Sequence, residues 1–126
     1  MSASRFAAVA ALSFLSLSAA QAQPAAPVRV INVVSYSYAP APIALRAGQP
    51  VTLRFVNRAG KGHDFTATRF FSSAQILSGH VEGGEVELRP GQVANVTLIP
   101  AAGRYNAHCS HPFHKMLGMH TTIVVQ

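Results

Sequence analysis

Negative charge is scarce in this sequence: four acids, Asp64, Glu82, Glu85 and Glu87, stand against ten Lys and Arg in 126 residues. The excess is cationic, and such a chain can bind nucleic acid, anionic lipid or an acidic protein. Its positive residues are scattered singly, however, with no basic run or basic helix, so nucleic acid is excluded as a partner and weak docking to an acidic protein is expected. A second cysteine is also missing, so Cys109 cannot form an intramolecular disulfide. It must be buried and inert, paired to another chain, or tied up by a metal. No stretch of useful length has helical periodicity, and there is no internal repeat or low-complexity tract after the first two dozen residues. The longest apolar run, Phe6 to Leu15, is short for a span of about 20 residues, so stable membrane insertion is not expected.

That run belongs to a leader. Arg5 precedes it and small residues ending in Ala20-Gln21-Ala22 follow it, the layout of a secretory signal peptide cut after Ala22. The expected organisation is therefore a signal peptide over 1–22 and one domain over 23–126, exported to the periplasm. Losing Arg5 leaves nine Lys and Arg, a net charge of about +5.

The rest reads as strand, turn, strand. Val28 to Ser37 is rich in β-branched and aromatic residues and predicts a first strand, ended by Pro40 and Pro42, which withdraw ladder donors. Val51, Leu53 and Phe55 alternate with Thr52 and Arg54, a strand with one face on a core. A glycine-punctuated loop over 58–62 leads into a short strand from His63, and 70–79 shows no regular pattern. Further alternation at 85–88 and 93–99, a lead-in over 104–108, and the β-like tail 120–125 complete the set. Seven to eight short strands separated by Pro/Gly turns predict an all-β, antiparallel sandwich with Greek-key connections. Such a core is large enough to fold alone, and a monomer is expected.

The chemistry lies in the loop that the last two strands enclose. Behind Cys109, at equal spacing, come His114 and Met119. Thiolate, imidazole and thioether on one short loop are soft donors suited to copper, and a thiolate with two imidazoles and a weak axial thioether makes a blue-copper electron-transfer centre. The loop lacks a second histidine. His108 adjoins Cys109 and His120 adjoins Met119, so alternation turns both away from those sulfurs. His63, at the mouth of a strand, is the one that can be presented rigidly from afar. His80, His108, His111 and His120 read as surface residues or neighbours of the site, and Glu82, Glu85 and Glu87 as a solvated face. No catalytic triad order, phosphate loop or paired-carboxylate signal stands out, so no enzyme is expected.

With those residues in view, the sequence resembles the cupredoxins, small exported blue-copper proteins. The likeness covers an upstream His, a strand ending in Cys109, then C-x4-H-x4-M and a final strand, and the loop spacing is most like auracyanin and rusticyanin. The resemblance implies His63, Cys109 and His114 as equatorial ligands and Met119 as the axial one, holding one copper that cycles between Cu(II) and Cu(I). It also implies a one-electron carrier whose protein redox partners dock on an apolar patch of Pro112, Phe113, Met116 and Leu117 around His114. The same ligands could serve a copper-binding module for storage, delivery or tolerance. A multicopper oxidase would need histidines on both sides of the cysteine, where this chain has His108 and Ser110. Many members carry asparagine after the first histidine, and this chain has Asp64.

Overall fold

The computed structural model describes residues 18–21, 24–114 and 116–126. The expected leader, with its apolar run and its cut after Ala22, lies almost wholly outside the described residues. Among the described residues ten strands and one short helix follow one another as β1 (Val28–Val34), β2 (Ser37–Ala39), β3 (Ile43–Leu45), β4 (Val51–Asn57), β5 (His63–Thr66), α1 (Thr68–Ser73), β6 (Gln75–Ser78), β7 (Glu85–Leu88), β8 (Val93–Ile99), β9 (Gly103–His108) and β10 (His120–Val125). They form two five-stranded sheets, one in the order β2-β1-β4-β8-β6 and the other β3-β10-β9-β5-β7. Among the described residues no helix is long and apolar enough to cross a membrane.

The all-β sandwich is as the alternation predicts. Ile31 and Val33, Leu53 and Phe55, Val96 and Leu98 line the inner face of the first sheet, while Phe65, Val86, Leu88, Ala107, Ile123 and Val125 line the second. Phe55 and Phe65 meet between the sheets with ring centroids 4.8 Å apart, and Tyr38 and Phe71 pack edge-on against Phe65. Replacing Phe55 or Phe65 by alanine would remove one side of this contact and cost about 3–5 kcal/mol.

Two expectations are corrected. The sheets are mixed rather than wholly antiparallel, because β1 pairs in parallel with β4 and β3 in parallel with β10. The prolines at 40 and 42 end the β1–β2 hairpin, the chain crosses to the other sheet as β3, and it returns as β4 beside β1 and parallel to it. The described residues hold ten strands rather than seven to eight. The first predicted strand breaks at Tyr36, whose positive φ of 62° reverses the chain into β2, and the patternless stretch 70–79 holds most of α1 and all of β6. There Phe70 and Phe71 are buried while every residue of β6 is exposed, so neither face gives the alternation of a half-buried strand. Gly79, at φ 97°, ends β6 against the Asn95 backbone with no room for a Cβ.

Candidate metal centre

Alternation along β5 decides what its first residues do. His63 and Phe65 share the inward face, so the imidazole sits at one end of the core, 2% exposed, while Asp64 points to the other face. Asn57 fixes the approach to this strand: its side-chain amide donates to the carbonyls of Lys61, Leu88 and Arg89, and its Oδ1 accepts from the Ala59 amide.

The partner loop leaves β9 at Cys109 and returns at Met119. Its neck is one rung, the Cys109 amide donating to the Met119 carbonyl at 3.1 Å. Inside the loop the His114 carbonyl accepts from the amides of both Leu117 and Met119, and the His114 amide donates to His111. The backbone is thus wound about His114.

This winding brings three donors together. The Nδ1 atoms of His63 and His114 stand 3.1 Å apart, and Cys109 Sγ lies 3.3 Å from the Nδ1 of His114 and 3.9 Å from that of His63. Donors at about 2.0–2.3 Å from a shared centre in one plane would be separated by about 3.5–3.8 Å. The triangle is therefore the right size for a transition-metal ion, and its two nitrogens and one sulfur suit a soft or borderline one. Met119 is fully buried at the neck of the same loop. Of the four residues singled out in the sequence, three converge through their donor atoms and the fourth is sealed beside the cysteine's backbone.

The electrostatics favour neutral groups at rest. Burial, then the neighbouring His114 and His111, hold the His63 imidazole below the usual histidine range. Burial pushes the Cys109 thiol up. A neutral imidazole is ready to ligate, while the thiol must give up its proton as a metal binds. The Nε2 of His63 is buried with no partner among the described residues.

Asp64 ties the two halves of the site. Its Oδ1 accepts from the Ser110 amide at 2.9 Å and from the Thr66 hydroxyl at 2.8 Å, and its Oδ2 accepts from the Ser110 hydroxyl. The carboxylate does by accepting what an amide in its place would do partly by donating. Tyr38 donates its hydroxyl to the Asp64 carbonyl, and burial holds that phenol far above its usual range. Glu87 and His111 flank the carboxylate: His111 Nε2 is 2.9 Å from Glu87 Oε1 and 3.7 Å from Asp64 Oδ2. Ser110 Oγ also lies 3.5 Å from Glu85 Oε2, so Glu85 and Glu87 are partners of the cysteine loop rather than a merely solvated face.

Sequence reasoning missed Tyr36. Its half-buried ring stands edge-on to His114 with centroids 5.3 Å apart and to His63 at 6.5 Å. A tyrosine at φ 62° is strained by about 1–3 kcal/mol, and only the packing around it can hold it there. Over the outer side of the loop, Phe113, Met116 and Leu117 are 73%, 83% and 57% exposed around the half-buried His114, with Phe113 also at positive φ. Pro112 is exposed beside them.

The sequence model of a family described as a cupredoxin-like domain matches residues 5–125. Among solved structures the chain is similar to a dithionite-reduced auracyanin from Roseiflexus castenholzii, at 20% identity and TM-score 0.61, covering 82% of this chain and 99% of that one. It is also similar to auracyanin A, a "blue" copper protein from Chloroflexus aurantiacus, at 20% identity and TM-score 0.55, covering 79% and 99%. A multicopper oxidase from Campylobacter jejuni aligns at 12% identity and TM-score 0.62, covering 83% of this chain and 31% of the oxidase. At these identities the likeness is one of fold. No curated protein matches.

Proposed function

The chain belongs to the cupredoxin-like domain family, and from that premise we propose that it is a mononuclear type 1 copper protein carrying single electrons between larger redox proteins, not an enzyme. The observation that carries this reading is the triangle of His63 Nδ1, His114 Nδ1 and Cys109 Sγ at the end of a β-sandwich, with His63 and Cys109 buried and His114 half-buried. In the proposed role these three, with Met119, would hold the copper. Bound there, copper would supply one-electron chemistry between Cu(II) and Cu(I), two states that a thiolate, two imidazoles and a thioether tolerate.

The residues explain why such a site would suit transfer. His63 is pinned by β5 and the Asn57 tie, Cys109 by β9, and the loop between them by Asp64 and the neck rung, so the donors have little room to move when charge changes. His114 is the half-open ligand. It stands in an apolar patch of Pro112, Phe113, Met116 and Leu117, the surface we assign to docking of a protein partner, while the scattered positive charge favours an acidic one. Nucleic acid has no place in this reading. The leader-like 1–22 supports export to the periplasm, with a monomeric domain over 23–126.

Adding Cu(II) to the chain tests the reading. The expected result is an intense visible thiolate-to-copper band and a narrow paramagnetic-resonance hyperfine pattern, both absent in Cys109→Ser. A parent without the band would overturn the proposal. Reversible cycling and retention of the metal against a mild chelator distinguish a carrier from a module for copper storage, delivery or tolerance, which should exchange the metal readily.

A further inference from the structure

The alternation that sends Cys109 and Met119 inward sends their neighbours outward together. β9 and β10 are antiparallel, and His108 is the register partner of His120. Directly opposed residues on one sheet face have Cβ atoms about 4.5–5.5 Å apart, so two imidazoles so placed can close on one ion at about 2.0–2.1 Å each. His108 is half-buried and His120 exposed. The next rung on the same face, Asn106 opposite Thr122, adds an amide and a hydroxyl oxygen. These four side chains line an open cleft of about 300 Å³.

The other outlying histidines differ. His80 lies 3.5 Å from Glu82 and His111 2.9 Å from Glu87, and among the described residues no carboxylate lies at ion-pair distance from His108 or His120. Their nitrogens are free to ligate.

We propose that His108 and His120 form a second metal site for a borderline divalent cation such as Zn(II), on the face of β9 and β10 opposite Cys109 and Met119. Two imidazole nitrogens set the preference for Zn(II), Ni(II) or Cu(II) over Mg(II) or Ca(II), which take oxygen ligands. Asn106, Thr122 and water complete the coordination. The bridging ion staples β9 to β10 one residue from the neck rung. The site does not depend on whether copper fills the other one.

The test adds Zn(II) stepwise to the copper-loaded chain and to Cys109→Ser, with binding followed by calorimetry. One Zn(II) per copper-loaded chain is expected. His120→Gln should weaken it by about tenfold or more, as should His108→Gln, while His80→Gln and His111→Gln leave it unchanged. Because His108 is half-buried, a second measurement guards against a misfolded variant: in the reduced parent, Zn(II) should shift the ring proton signals of His108 and His120. No Zn(II) uptake by the parent, undiminished uptake by His120→Gln, or shifts confined to other histidines would each overturn the site.

Discussion

The imidazoles of His63 and His114 meet Nδ1 to Nδ1 at 3.1 Å although 51 residues separate them, and one is sealed in the core while the other reaches the surface. The chain thus brings one imidazole from rigid strand and the other from an open loop.

Their substitution should differ accordingly. His114→Gly leaves a gap open to solvent, so added imidazole should enter it and restore the visible band of the copper-loaded protein. His63→Gly leaves an enclosed gap, and the same imidazole should restore little. Equal rescue in absorption spectra of the two variants would show that the sealed-and-open distinction is wrong.

Asp64 carries two separable effects. Its charge beside the site favours Cu(II), so Asp64→Asn, which still accepts from the Ser110 amide, should raise the midpoint potential measured by voltammetry. Asp64→Ala removes the acceptor for Ser110 and should lower stability by about 1–3 kcal/mol in chemical denaturation. An unchanged potential in the asparagine variant would remove the electrostatic argument.

Tyr36 should act through its ring and not its hydroxyl. Tyr36→Phe is expected to match the parent. Tyr36→Gly relieves the φ 62° strain but loses edge packing on His114 worth about 0.5–1.5 kcal/mol, so the denaturation midpoint should move little while a chelator strips the metal faster. A stripping rate equal to the parent's would rule Tyr36 out as a support for His114.

Glu85 gives a pH dependence. Burial, then the Asp64 charge, raise its carboxyl above the usual range. A raised acid binds its proton more tightly in the folded chain, so stability is lost as pH climbs through the unfolded value and on past the folded one. Glu85→Gln should be more stable than the parent near pH about 7 and lose that advantage below about pH 4. Urea midpoints at the two pH values check this, and a constant difference would contradict it.

Much of this was legible beforehand because it rests on a period of two. Val51, Leu53 and Phe55 announced a face, and the same rule turned His108 and His120 away from the sulfurs, while His63 stood out by its place at the mouth of a strand. The regular spacing of Cys109, His114 and Met119 is local, so one loop displays it. What stayed hidden depends on distant neighbours. Tyr36 looked like strand because its type favours strand, and nothing nearby signals that packing holds it at positive φ. The parallel pairings came from sheet crossing, which no local pattern records. Glu87 meets His111 only because β7 and the cysteine loop reach the same edge, so it read as solvated. The opposed pair His108 and His120 needed the register of β9 and β10 before it could be seen as a pair.

The place of β10 has a consequence for biosynthesis. It lies between β3 and β9, pairing Ile123 with Ile43 across roughly 80 residues, and contacts of such long range close slowly. A nascent or truncated chain lacking β10 would already hold His63, Cys109 and His114, and could assemble the whole first sheet, yet the cysteine loop would have no return strand. Metal competence would therefore wait on β10, and a chain lacking that strand would carry the donors without the geometry to compete for copper.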